Sequence, residues 1–257
     1  MYANYHSHTW RCQHASGTEK EYVESAIQGG LKILGFSDHV PVPFDGGYKS
    51  RCRMRVDQLE DYVTTILDLK KEYSREIEIH LGFEVEYFSR YIDRQLEMMK
   101  PYPIEYFILG QHFLGDENGG DYCGAPTTNP ETLVRYCRIC SEALDTGLFT
   151  YFAHPDVIRF SGNDELYERE MRALCEKAHA LSMPLEINLL GIEDNRNYPN
   201  DTFWRIAGET GCTAILGSDA HRVHNMVRPD AIEAAHKLAE RHHLPVIDTV
   251  ELVNPLA

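Results

Sequence analysis

The strongest constraint on the fold is a regular alternation of short β-branched or aromatic runs with helical patterns along the whole chain. We predict seven strands, at residues 3–6, 33–37, 77–83, 106–109, 149–153, 185–188 and 213–217. Alternation of this kind is typical of an α/β fold built on a parallel sheet. At 257 residues, one domain spanning 1–257 is the simplest interpretation, since single α/β barrels have about this length.

Helix signals fill the segments between these strands. Thr18 and Glu21 form a capping box, Gly29 and Gly30 can end the helix that follows, and Asp57 can cap a helix running to Tyr73. Further helices are predicted at residues 131–145, 165–180, 201–210 and 230–242, and long loops at 41–55 and 115–129. Long loops often carry function.

Histidine and acidic residues recur where the predicted strands end. His6 and His8 close the first strand, and the two-residue period of a strand places both on one face. Carboxyl ends of parallel strands meet on the face where such folds build their sites. We therefore predict a metal centre there, with His14 added from the first loop and with these residues at the later strand ends: His39, Glu84, His112, His154, Asp219 and His221.

The other histidines serve as a comparison. Any single histidine is more often a structural polar residue than a ligand, so the prediction depends on the convergence of several strand ends. We expect structural or exposed roles for His80, His179, His236, His242 and His243, and a surface position for His224.

Charge and cysteine content narrow the class of partner. The 40 acidic residues outnumber the 25 basic ones, a net charge of −15 that disfavours nucleic-acid binding and favours a small substrate. The chain has no apolar run long enough for a membrane helix, and its N-terminus has no basic segment followed by an apolar run. We therefore expect a cytoplasmic protein without membrane contact. The seven cysteines are expected to be reduced, and Cys137 and Cys140 to be buried, inert thiols in a helix. Nothing in the sequence predicts the oligomeric state.

The combined motifs resemble the polymerase and histidinol phosphatase (PHP) superfamily. They are HSH with His14, SDH at 37–39, GFEVEY at 82–87, GQHF at 110–113, AHPD at 153–156 and GSDAH at 217–221. The start HTWRCQHA, SDHVPVP, and EIN followed by Arg196, Tyr198 and Pro199 are most similar to its monofunctional histidinol-phosphate phosphatases.

This resemblance implies a distorted (β/α)7 barrel of the PHP type that hydrolyses histidinol phosphate in histidine biosynthesis, with two or three divalent metal ions. Zinc, manganese and iron all suit imidazole and carboxylate ligands. It implies one metal on His6, His8 and Asp219, a second on His112 and His154 bridged by Glu84, and a third on His14, His39 and His221.

We expect the reaction to use a metal-generated hydroxide, with Glu84, Asp219 and His221 as catalytic residues. Arg159 and Arg196 are predicted to bind the phosphate through their forked guanidinium groups. Asp156 or a water could assist the leaving group.

Several alternatives stay open at this point. They are a related phosphoesterase acting on another small phosphate or nucleotide, an amidohydrolase-type barrel, and a non-catalytic metal-binding scaffold. The segment LLGIEDN at 189–195 is longer and more acidic than the turn expected in the histidinol-phosphate phosphatases, which leaves the substrate open.

Overall fold

Eight parallel strands form the central sheet of the protein, for which a computed structural model describes residues 1–257. The ten strands of the chain are β1 (Ala3–Asn4), β2 (Ile33–Phe36), β3 (Glu78–Val85), β4 (Tyr106–Leu109), β5 (Phe113–Leu114), β6 (Asp121–Tyr122), β7 (Tyr151–Phe152), β8 (Leu185–Asn188), β9 (Ala214–Gly217) and β10 (Val246–Ile247). The sheet order is β1-β2-β3-β4-β7-β8-β9-β10, and β5 and β6 pair separately as an antiparallel hairpin.

Helices connect the strands on the outside of this sheet. They are α1 (Glu19–Gln28), α2 (Leu59–Glu72), α3 (Ile92–Met99), α4 (Pro130–Asp145), α5 (Asp164–Ala180), α6 (Leu189–Glu193), α7 (Asp201–Glu209) and α8 (Pro229–Arg241). The predicted capping box is present at α1, where the Thr18 side chain accepts from Glu21 N and the Glu21 side chain accepts from Thr18 N. None of the helices is both long enough and apolar enough to cross a membrane.

The sheet curls until its first strand, β1, meets its seventh strand, β9. Beyond β1 and β9, Ser7 and Ala220 form a parallel bridge, in which His8 N donates to Ala220 O at 3.0 Å. Ser218 N also donates to the Asn4 side chain at 2.9 Å. Seven strands therefore close a barrel, as predicted, while β10 extends β9 outside that closure.

Aromatic side chains fill the barrel interior. Tyr106 is fully buried, and its hydroxyl donates to Tyr5 O at 2.7 Å across the barrel. Gly35 and Gly82 face this ring so closely that a Cβ at either position would overlap it. All four residues of β4, β8 and β9 are buried, as expected for parallel strands covered on both faces.

The structure differs from the sequence prediction in a few elements. The strands β5, β6 and β10 and the helices α3 and α6 were not predicted, although all seven predicted strands are present. Asp57 was wrong as a helix cap: it lies in a 3-10 turn, and the first residue before α2 is Gln58. Cys137 and Cys140 are buried in α4, as expected.

Candidate metal centre

The carboxyl ends of the barrel strands bring the nine predicted ligands onto one face. His6 and His8 follow β1 on either side of the Ser7–Ala220 bridge, while Asp219 precedes Ala220 after β9. The ring nitrogens His6 Nε2 and His8 Nε2 lie 3.4 and 3.1 Å from Asp219 Oδ1. One ligand atom from each of these residues lies within 4.8 Å of the others, a spacing that can hold an ion. All three side chains are buried.

Glu84, near the end of β3, lies at the middle of the centre. Its Oε2 lies 3.7 Å from His6 Nε2 and 2.8 Å from His39 Nδ1. Its Oε1 lies 2.8 Å from His154 Nε2 and 3.6 Å from His112 Nε2. Because the two oxygens face different sets of imidazoles, this carboxylate has the geometry of a bridge between two ions.

A third set of nitrogens lies toward the solvent. His14, His39 and His221 each place a ring nitrogen within 4.8 Å of the other two, and His14 Nε2 lies 2.9 Å from His221 Nε2. Burial and the neighbouring His221 and His8 lower the pKa of His14 to about 4. Burial likewise lowers the pKa of His39 and of His221. Neutral imidazole is the form that binds metals, so this set favours a cation over protons.

A second layer of acceptors orients the imidazoles. His6 Nδ1 lies 2.7 Å from Glu186 Oε1, and His8 Nδ1 lies 3.4 Å from Asp38 Oδ1. His14 and His221 direct Nδ1 to the backbone oxygens of Cys12 and Asp219, at 2.8 and 2.9 Å. These contacts leave each Nε2 free for a metal, which is how proteins fix the tautomer of a ligating histidine.

The sequence prediction assigned no role to Glu186, Asp38 or Glu86. Glu86 accepts from the backbone N–H groups of His112 and Phe113 at 3.0 and 2.8 Å and so holds the loop after β4. All three acids lie within motifs noted above, but those motifs alone do not indicate which histidine each acid contacts. A useful signal is the alternation in GFEVEY, which places Glu86 on the same strand face as Glu84.

Unpaired buried atoms indicate that a cation fits here. His6 Nε2, His8 Nε2 and Glu84 Oε2 are buried, and the short distances given above do not have the angles of hydrogen bonds. Such atoms are costly unless a ligand satisfies them. Burial opposes protonation of His6, yet the carboxylates of Glu186, Asp219 and Glu84 raise its pKa well above the usual range. The carboxylates thus favour positive charge at this position, and divalent ions would supply it.

Two of these residues also have unusual backbone conformations. His154 and Asp219 have φ angles of 30° and 48°, in a region that residues other than glycine seldom adopt. Both follow short strands, and the sharp change of direction turns their side chains into the barrel mouth. Strained residues of this kind concentrate at functional sites.

A cavity of about 430 Å³ opens above the centre. Its wall includes His14, His39, His112, Asp219 and His221, and the size suits a small ligand. The wall is completed by Glu86 after β3 and by side chains from the two long loops and from the segment after β8, among them Arg51, Arg53, Tyr122, Asp194, Arg196 and Tyr198. The two loops contact each other, since Arg53 Nε donates to Glu117 Oε2 at 2.6 Å.

The two predicted phosphate-binding arginines are placed differently. Arg196 lines the cavity, whereas the Arg159 side chain is exposed and is not part of its wall. Asp156 is also away from the wall: it is 1% exposed and accepts from Asn200 N and Trp204 Nε1, at 2.6 and 3.1 Å. The structure therefore gives Asp156 a structural position and no contact with the cavity. His224 is exposed on the surface.

Three proteins illustrate what this chain is similar to. A probable histidinol-phosphatase of Deinococcus radiodurans is 29% identical over 237 residues, 84% of this chain and 85% of that protein. The histidinol-phosphatase of Bacillus subtilis is 34% identical over 116 residues, covering 42% of this chain and 43% of that protein. The crystal structure of histidinol phosphate phosphatase from Lactococcus lactis, complexed with zinc, L-histidinol and phosphate, superposes with a TM-score of 0.74 at 20% identity.

The lactococcal superposition covers 97% of both chains, so the two proteins share one fold. The family model described as PHP domain matches residues 4–189, which is more than half of the chain and includes all the predicted ligands except Asp219 and His221. This chain belongs to the PHP domain family.

Proposed function

We propose that this protein is a metal-dependent phosphatase that hydrolyses histidinol phosphate to histidinol and phosphate. The observation that carries the proposal is the meeting of nine ligand side chains on one barrel face, below a cavity that also contains Arg196. The names of the Deinococcus and Bacillus relatives, and the histidinol and phosphate bound in the lactococcal protein, support this substrate. On this proposal, the protein acts in histidine biosynthesis and in the cytoplasm.

The residues that would hold the ions fall into three groups. His6, His8 and Asp219 would hold one, Glu84 would bridge it to a second on His112 and His154, and His14, His39 and His221 would hold a third. The zinc of the lactococcal protein supports zinc, and the nitrogen and oxygen donors also suit manganese and iron. When bound, such ions supply an activated water nucleophile at neutral pH and offset the charge of the phosphate.

The side chains around this centre have distinct tasks. Glu84 fixes the separation of its two groups of ligands, and Asp219 and His221 shape the side open to the cavity. Arg196 is proposed to bind phosphate oxygens, since its guanidinium lies in the cavity wall. Arg159 stays a weaker proposal, because the loop carrying it would have to turn its side chain inward.

The test is phosphate release by protein reconstituted separately with Zn²⁺, Mn²⁺ and Fe²⁺. We expect kcat/KM for histidinol phosphate to exceed that for unrelated phosphate monoesters and nucleotides by at least about a hundredfold, the scale of a few specific polar contacts. Equal values across the panel would favour a broad phosphoesterase instead. Protein that binds metal but releases no phosphate from any ester would favour a non-catalytic scaffold.

A further inference from the structure

The acidic segment after β8 forms one wall of the cavity. Residues 189–193 form α6, and the side chain of Asn188 caps its first turn by accepting from Gly191 N at 2.8 Å. Glu193 at its end pairs with Arg228 and accepts from the Asn225 side chain. These contacts fix the helix against the chain beyond β9. The next residue, Asp194, lies in the cavity wall.

Asp194 binds Arg196 with only one of its carboxylate oxygens. Arg196 Nε and Nη2 donate to Asp194 Oδ2 at 3.2 and 2.8 Å, and Arg196 Nη1 donates to the Tyr198 hydroxyl at 2.8 Å. Asp194 Oδ1 makes no hydrogen bond within the protein. With 41% of its side chain exposed, this oxygen is available to a ligand.

The other carboxylates of the cavity wall are already engaged. Asp219 belongs to the proposed metal centre, where it faces His6, His8 and His221. Glu86 is buried, pairs with Arg53 at 2.6 Å and accepts two backbone N–H groups. Asp194 is therefore the carboxylate of the wall that can meet a cationic group of a ligand.

We propose that Asp194 is a specificity-determining residue that selects phosphate monoesters carrying an ammonium group close to the phosphate. The proposal rests on the proposed function and deepens it, because histidinol phosphate has such a group. In this arrangement Arg196 binds the phosphate and Asp194 binds the ammonium group, so the neighbouring pair contacts both charged groups of one substrate. An ester without a positive charge gains nothing from Asp194 and competes with it for Arg196.

Tyr198 places this pair beside the metal centre. Its ring centroid lies 5.8 Å from that of His154, and its hydroxyl holds Arg196. Only three bonds separate the ester oxygen of an aminoalkyl phosphate from its ammonium nitrogen. When the phosphate of such an ester binds at the proposed metal centre, its ammonium group can therefore reach only the adjacent cavity wall.

The test is the substitution Asp194→Asn, which keeps the shape and removes the charge. We expect kcat/KM for histidinol phosphate and for O-phosphoethanolamine to fall about tenfold, the scale of a partly exposed charge-assisted hydrogen bond. For glycerol 2-phosphate, whose leaving group is neutral, kcat/KM should stay unchanged or rise, since Arg196 is released. Asp194→Glu should retain part of the preference for the cationic esters.

The matched control is Asp68→Asn, which removes the same charge from the exposed face of α2 and should change no ratio. An equal loss for cationic and neutral esters in Asp194→Asn would overturn the proposal, because Asp194 would then act only by orienting Arg196. If wild-type protein does not cleave histidinol phosphate but Asp194→Asn still lowers the rate for O-phosphoethanolamine selectively, the proposed substrate is wrong and the role of Asp194 stands.

Discussion

At the scale of single residues, the acceptors behind the histidines matter as much as the histidines themselves. Glu186 has no place in the cavity wall, yet its carboxylate accepts from the His6 ring at 2.7 Å and from the backbone N–H of His154 at 3.0 Å. It thereby holds two proposed ligands from different strands. Both contacts lie in the fully buried interior, where no water can replace them.

Replacing Glu186 by Gln should weaken metal binding. The amide is a poorer acceptor for the His6 N–H, and losing such a second-layer carboxylate typically lowers metal affinity about 10- to 100-fold. Metal content after dialysis against a graded chelator, read by elemental analysis, measures the change. Glu105→Gln is the control, since Glu105 pairs with His80 at 2.9 Å away from the centre. Equal metal loss in both variants would remove the role given to Glu186.

Gly110 controls the position of the Glu84 carboxylate. A Cβ at Gly110 would overlap that side chain. We expect Gly110→Ala to displace Glu84, to lower metal content and activity strongly, and to cost about 2 kcal/mol of unfolding free energy. Gly82→Ala is the matched comparison, because the three atoms nearest its Cβ would all belong to Tyr106 and none to Glu84. It should destabilise the protein, as urea denaturation would record, while metal is retained. A Gly110→Ala protein with full metal content would contradict this account.

The predictability of these residues depends on how local their signal is. The ligands could be predicted because each follows an apolar strand run, and the fold gathers all strand ends on one face. The contact of Glu186 with His6 could not be predicted, because 180 positions separate the two residues and nothing in the sequence around either one indicates its partner. The direction of the Arg159 side chain could not be predicted either, since a position in a loop does not determine which way the side chain points.

At the scale of elements, Asp156 joins β7 to α7. Its Oδ2 accepts from the N–H of Asn200, just before α7, and from the buried indole of Trp204. Asp156→Ala would leave both donors unpaired and should cost about 3 kcal/mol of unfolding free energy. Asp156→Asn keeps an acceptor oxygen and should cost much less. Urea unfolding followed by tryptophan fluorescence compares the two variants, and equal losses would argue against this hydrogen-bonded link.

The same carboxyl should give stability a pH dependence. Burial raises the pKa of Asp156 from 3.8 to about 7, so the folded protein keeps a proton that the unfolded chain releases. The contribution of this group is fully present below about pH 4 and falls as the pH rises to about 7. Asn cannot ionise, so the stability of Asp156→Asn relative to wild type should increase over that range. A constant difference from pH 4 to 7 would contradict the shift.

The elements that the sequence did not predict share a physical reason. α3 has only eight residues and α6 only five, too few for a helical period to stand out. The strands β5, β6 and β10 have only two residues each. They form because the segments beside them are available for pairing, and their own composition does not indicate a strand. Asp57 failed as a cap because the chain makes a 3-10 turn before α2 begins. The elements that were predicted agree with the structure to within two residues at either end, and this includes the short strands β1 and β7.

At the scale of the whole molecule, ligands from opposite ends of the chain meet at the barrel closure. Two ions or three would link the residues after β1 to Glu84 in β3 and to the residues after β2, β4, β7 and β9. The centre also concentrates carboxylates in a chain whose net charge is already −15. Metal binding should therefore stabilise the complete barrel and not one segment of it.

Removing the metal should lower the melting temperature of the protein in a single cooperative step. Ligands that bind only the folded state add about 2.7 kcal/mol when present at a hundred times their dissociation constant. Calorimetry with and without a chelator measures the loss, and adding Zn²⁺ back should reverse it. An unchanged melting temperature, with metal loss verified by elemental analysis, would contradict this prediction. That the chain forms a single domain stays a prediction, and one shared transition would support it.

The closure between Ser7 and Ala220 also has a consequence for the order of assembly. During synthesis, His6 and His8 leave the ribosome long before Asp219, and His14 and His39 long before His221, the residues that complete the two proposed ion sites. A nascent chain that ends before β9 thus has only two of the three ligands of each of these sites. We therefore expect only the finished chain to retain metal tightly, whereas fragments produced by premature termination or early cleavage would release their ions.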